Sequence, residues 1–170
     1  MASLMEELID VLGKEVEEYN VLLNLSHEKT SIIVKGNTER LEEVTEMEQE
    51  VMSRVRNFEN KRTRIMQDIS NVTNRPVEAL KLSDMIGFLE NRPGEQQMLV
   101  KIQRDLQQVL GEFKESNAQN AVLIQQAMEM VEFDLTLFRS MRQAPETANY
   151  DRNAYNTGTL LGSGGFDYSR

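Results

Sequence analysis

Apolar residues recur along most of this chain in alternating steps of three and four, the spacing that lines one side of an α-helix and keeps it facing a neighbour. The longest such row is Ile102, Leu106, Val109, Phe113, Ser116, Asn120, Leu123, Ala127, Met130, Asp134, Leu137 and Met141. It is apolar, turns polar at Ser116 and Asn120, and becomes apolar again. A second row one residue along, Leu110, Asn117, Ile124, Val131 and Phe138, widens the stripe beyond a two-stranded seam towards the face of a bundle. Pro93 and Gly94 precede this stretch and the next proline is Pro145, so the pattern predicts one helix over 94–142. Whether its second half, past Asn120, finds a partner within the chain decides what that half is for.

Two earlier helices follow from the same reading. Leu4, Leu8, Leu12, Tyr19, Leu22, Ser26 and Ile33 mark the first, over about 3–35, with Gly13 as an interior glycine that suggests close packing on a neighbour. Gly36 supplies its stop and Asn37 can cap the next helix at once, which implies a tight turn between antiparallel neighbours. The second helix, about 38–74, carries Leu41, Val44, Glu48, Val51, Val55, Phe58, Arg62, Ile65, Ile69 and Val72 in strict alternation. Glu48 and Arg62 interrupt an otherwise apolar row. They reach solvent, pair with the facing helix, or set register at a cost in stability, and the pattern places no titratable partner beside them. Arg75 and Pro76 end that helix. Ser83 is a candidate N-cap for a short piece over 83–91, where Met85, Ile86, Phe88 and Leu89 are apolar enough to pack across the bundle end. The predicted fold is therefore all-α: an elongated antiparallel helical bundle with long coiled-coil-like helices and a short capping helix, forming one domain over 1–142.

Past Arg142 the composition shifts to asparagine, glycine, serine and threonine, which cannot bury enough apolar surface to order themselves. Residues 143–170 read as a flexible tail, disordered or folding on binding, in which Tyr150, Tyr155, Leu160, Leu161, Phe166 and Tyr168 are spaced as separate anchors.

Composition narrows the function classes. A net charge of -9 on 170 residues argues against a nucleic-acid partner, and the one dense basic cluster, Lys61, Arg62 and Arg64, lies within a helical heptad pattern. The apolar runs are far shorter than the roughly 20 residues that cross a bilayer, and MASLMEELID lacks a basic stretch followed by an apolar core, so a cytoplasmic protein without membrane insertion is expected. With no cysteine and a single histidine, His27, thiolate or histidine metal clusters and histidine-based triads lack their parts. No cofactor is expected and no enzyme activity. The 10 methionines include Met128, Met130 and Met141 on the last helix, where flexible thioethers suit a surface that adapts to partners.

The order of a long first helix, the turn Lys35-Gly36-Asn37, a second helix from Leu41 past Arg62, and a last helix with Asn117-Ala118-Gln119-Asn120 before Leu123 and Ile124 resembles the FlgN family of flagellar export chaperones. The tail, with Tyr155 to Gly158 and a closing Phe166-Asp167, is similar to family members that carry such an extension. The resemblance implies a small acidic cytoplasmic protein that holds hook-filament junction (hook-associated) subunits before the flagellar type III export apparatus secretes them. It also implies a client-binding segment on the last helix, at Leu123, Ile124, Ala127, Met130, Val131, Leu137, Phe138 and Met141. Tyr150, Tyr155 and Phe166 of the tail join the candidate site by their spacing, and the match leaves open three roles for the tail: client contact, folding back over the groove, or contact with the export machinery. The competing reading is a self-associating coiled-coil adaptor, a homodimer whose heptad rows mate between chains without a secreted client.

Overall fold

The computed structural model describes the backbone of residues 2–162 and the side chains of residues 3–142. Four α-helices, joined by short turns, make up the described structure: α1 (Ala2–Lys35), α2 (Thr38–Thr73), α3 (Leu82–Phe88) and α4 (Pro93–Gly162), with one 3-10 turn at Val77–Ala79 and no strand among the described residues. The chain divides into two compact units, Met1–Ile124 and Gln125–Arg170.

Within the first unit the helix ends are set by local chemistry. Gly36 adopts φ +67, and the N–H groups of Gly36 and Asn37 donate to Ile33 O (3.0 Å) and Ile32 O (3.3 Å), the paired bonds of a left-handed helix stop. Asn37 then caps α2 through its side-chain oxygen, which accepts from Arg40 N at 3.0 Å. One residue thus closes a helix and starts the next, and α2 folds back antiparallel to α1. At its far end α2 stops at Asn74, in the left-handed region at φ 53, just ahead of Arg75 and Pro76.

The short capping helix is present but shifted. Its N-cap is Lys81, not Ser83, because Asp84 at the third helical position accepts from Lys81 N at 2.8 Å. It ends at Phe88, and Leu89–Asn91 form a turn in place of the expected last helical residues. Met85 and Leu89 are fully buried against Met5, Leu8 and Leu12 of α1, Ile65 and Ile69 of α2, and Leu99 of α4. The piece therefore closes one end of the core, each such side chain contributing about 1.5–3 kcal/mol by burial. The guanidinium of Arg75 stacks over the Phe88 ring at 5.2 Å and holds the turn against this cap.

A second buried cluster lies towards the α1–α2 turn, from Leu22, Leu25 and Ile32 of α1 with Val44, Val51 and Val55 of α2. Phe113 of α4 packs on it, its ring 6.4 Å from that of Tyr19. The contacts of α4 along α1 advance in step: Ile102 lies opposite Gly13, Ser116 bonds to Ser26, and Asn120 bonds to Thr30. α1 and α4 therefore run parallel, with α2 antiparallel to both, an up-down-up bundle. A methyl built on Gly13 would sit 4.0 Å from Ile102 Cδ1, ordinary contact, so α4 passes close to this glycine without requiring it.

The second unit contains, among its described residues, only the later part of α4. Its backbone continues to Gly162, beyond the Arg142 where the change in composition predicts the helix to end. The expectation of a disordered or fold-on-binding tail over 143–170, with Tyr150 and Tyr155 as anchors, falls outside the residues whose side chains are described, and Phe166 lies outside the described backbone as well.

Candidate functional site

The long row of α4 changes environment along its length. Leu99 and Val109 are buried, Ile102, Leu106 and Phe113 half-buried, and the polar pair Ser116 and Asn120 buried again. That polar pair is fully engaged. Ser26 and Ser116 hydroxyls share a 2.7 Å hydrogen bond, Asn120 Nδ2 donates to Ser26 O at 2.8 Å, and Thr30 Oγ1 donates to Asn120 Oδ1 at 2.6 Å. A buried amide with both its ends satisfied fixes register more sharply than an apolar contact would, because a shifted helix leaves it unpaired. Replacing Asn120 with alanine is expected to cost about 2 kcal/mol in urea denaturation, since the bonds from its Nδ2 to Ser26 and from Thr30 to its Oδ1 are lost together at a buried position, although the Thr30 hydroxyl keeps Ser26 O at 3.1 Å. An unchanged midpoint would mean that water already occupies this waist.

Only Ser31–Lys35 of α1 remain beyond the Thr30–Asn120 bond. Leu123 and Ile124, in the first unit, are half-buried. In the second unit the same row is in water: Ala127 is exposed, as are Met130 (68%), Val131 (58%), Leu137 (48%), Phe138 (69%) and Met141 (64%). Met128, Phe133 and Leu135 are exposed beside them, so apolar side chains occupy well over half of the helix circumference there. Polar contacts keep to the remaining side, where Gln125 Nε2 donates to Glu129 at 3.1 Å and Thr136 Oγ1 to Glu132 O at 2.9 Å. An apolar face of this breadth is far more than the scattered exposed residues of an ordinary surface. Of the residues singled out on the sequence, the structure brings Ala127, Met130, Val131, Leu137, Phe138 and Met141 onto this open stretch and keeps Leu123 and Ile124 half-covered in the first unit.

The two charges in the α2 row have partners that the pattern did not supply. Glu48 accepts from Lys29 Nζ at 2.6 Å, and Arg62 Nη1 donates to Glu15 at 3.0 Å. Glu48 and Arg62 stand two heptads apart on α2, as Glu15 and Lys29 do on α1 in reverse order, so both pairs belong to one antiparallel register. Arg54–Glu18 (3.0 Å) and Arg40–Glu28 (2.6 Å) add exposed bridges along the same interface. The signal was present: the α1 row steps from Leu12 to Tyr19 and from Ser26 to Ile33, and the positions it skips are Glu15 and Lys29. Burial pushes the Glu15 carboxyl above its ordinary value, with Arg62 opposing and nearby Glu59 adding to the rise. Burial and the Glu59 carboxylate, which accepts from the Tyr19 hydroxyl at 3.2 Å, likewise push that hydroxyl up. These groups join α1 to α2 and take no part in the α4 face.

Among the described residues no group of histidine, cysteine, aspartate and glutamate is placed to hold a metal ion, and no helix is long and apolar enough to cross a membrane. His27 is exposed on α1.

Fold and face together define the class, an all-α bundle protein that presents an open amphipathic helix. The family model described as FlgN protein matches residues 1–158, and the chain belongs to the FlgN family, which is a family of flagellar chaperones. No curated protein and no solved structure gives a match.

Proposed function

We propose that this protein is a flagellar export chaperone that binds hook-filament junction subunits in the cytoplasm and holds them competent for the type III export apparatus. The observation that carries the reading is the open apolar face of α4 past Gln125, on a member of the FlgN family. The mechanism is stoichiometric masking. A client's terminal amphipathic helix lies on the α4 face, and apolar surface that would otherwise drive premature polymerisation is covered on both molecules. The reaction needs no nucleotide and no catalytic group, because release requires only that a competing surface take over the client helix. The acidic balance of the chain, -9 overall, favours basic partners at long range, either an export component or the client itself.

Calorimetric titration of purified hook-filament junction subunits into the full chain, and into a version ending at Arg142, tests this. One-to-one binding by the full chain is expected; weaker binding by the shortened one would assign part of the site to residues 143–170, which include Tyr150, Tyr155 and Phe166, and equal binding would confine it to the α4 segment before them. Absence of binding to folded full-length protein would sink the chaperone reading in favour of the self-associating adaptor.

A further inference from the structure

One position on the α4 face does not fit a purely apolar role. Asp134 stands in the middle of the row, between Met130 and Leu137, and is exposed. The four residues that can reach it along the helix, Met130, Val131, Leu137 and Phe138, are all apolar and all exposed. The basic residues of this stretch, Arg139 and Arg142, are five and eight positions on, off the row, and among the described residues no cation comes within ion-pair distance of Asp134.

Covering this face takes Asp134 out of water, and a desolvated carboxylate is costly unless the occupant pairs it. The bundle shows how this chain treats such a position. Each charge in the apolar row of α2 meets an opposite charge from the facing helix, Glu48 with Lys29 and Arg62 with Glu15. A second copy could offer Asp134 a cation only from Arg142, which continues the heptad line of Met128 and Leu135 at the border of the face, and only in one antiparallel stagger, whereas a helix with a basic residue in its apolar row meets Asp134 at the middle of the face.

We propose that the α4 face accepts an amphipathic helix whose apolar row is interrupted by a lysine or arginine, and that Asp134 selects that helix by pairing with it. The inference rests on the chaperone reading only for where such a helix comes from, the end of a secreted subunit. Charge placement then does what the apolar area cannot: it fixes the register of the bound helix and disfavours apolar helices of similar shape.

The test uses two designed amphipathic helical peptides that differ only in lysine or leucine at the middle of the apolar row, titrated into the full-length protein and into Asp134→Leu. The wild type is expected to prefer the lysine peptide by roughly tenfold or more, and Asp134→Leu to reverse the preference, since close charge pairs across an interface couple by at least this much. A wild-type preference for the leucine peptide, or binding of neither, overturns the inference. So does a stable wild-type dimer, read by light scattering, that Asp134→Leu strengthens or dissolves, because a second copy would then own the face. If the lysine preference holds while junction subunits do not bind, the selection stands and the chaperone reading falls.

Discussion

Arg62→Met is expected to destabilise the bundle by about 2 to 3 kcal/mol at neutral pH, whereas Glu15→Gln, on the other side of the same ion pair, should be close to neutral or stabilising. The asymmetry comes from burial. The Glu15 side chain is 1% exposed and that of Arg62 36%, and Glu15 Oε1 has no hydrogen-bond partner among the described residues. Without the arginine a carboxylate is left in the α1–α2 interface with nothing to balance it. Without the glutamate, Arg62 turns to water. The pH dependence carries the same signature. The folded chain holds the Glu15 proton above the ordinary carboxylate value, so between that value and the raised one the folded state binds more protons than the unfolded. Stability therefore falls as pH rises through this window, and Arg62 limits the fall. Removing Arg62 raises the Glu15 value further, so the deficit of Arg62→Met should be largest at neutral pH. It should shrink towards zero as the pH falls well below the ordinary carboxylate value, where Glu15 is protonated in both states. Urea denaturation of wild type and both variants at two pH values measures this. Equal losses for the two variants, unchanged with pH, would show that the pair is solvated like any surface bridge.

That ion pair also shows where the sequence was readable and where it was not. Strict alternation on α2 located the helix to within a residue of its end and singled out Glu48 and Arg62 as misfits. Their partners were hidden because apolar residues define a row and polar ones are passed over, although the skipped positions of α1, Glu15 and Lys29, recur at the same two-heptad interval. The capping helix was legible from its apolar content, but its start was not. Ser83 has the side chain of a usual cap, but a start at Lys81 puts Asp84 at the third helical position, where its carboxylate accepts from Lys81 N. The polar waist at Ser116 and Asn120 was visible as a break in the row. Its meaning depended on which α1 residues lie opposite, and the parallel pairing with Ser26 and Thr30 follows from the turn and the cap acting together. In the second unit α4 carries the same apolar spacing with no second described element to pack against. Periodicity alone reads identically for a buried and an open helix face, so it could name the residues there but not their exposure.

The exposure leads to the second large effect. Leu137→Asp with Phe138→Asp is expected to weaken binding of hook-filament junction subunits by more than about a thousandfold while leaving the fold intact. On the binding side, two large apolar side chains that the client would cover are lost, each worth about 1.5–3 kcal/mol when fully buried. Two carboxylates take their place next to Asp134 and must be desolvated for the client helix to dock. A combined loss beyond about 4 kcal/mol corresponds to that thousandfold. On the folding side little is at stake. Leu137 is 48% exposed and Phe138 69% exposed, so the cost is the lower helix propensity of aspartate, within about 0.7 kcal/mol per site, plus repulsion from Asp134 three and four residues back, roughly 0.2–0.5 kcal/mol per pair. Circular dichroism and thermal melting of the double variant, beside calorimetry with the client, separate the two. Lost binding with unchanged helicity and melting places the residues on the client face. Lost helicity or a collapsed transition would instead make them core, buried in solution by a second chain, and would favour the coiled-coil adaptor. Unchanged binding on a folded protein would move the client away from this end of α4 altogether.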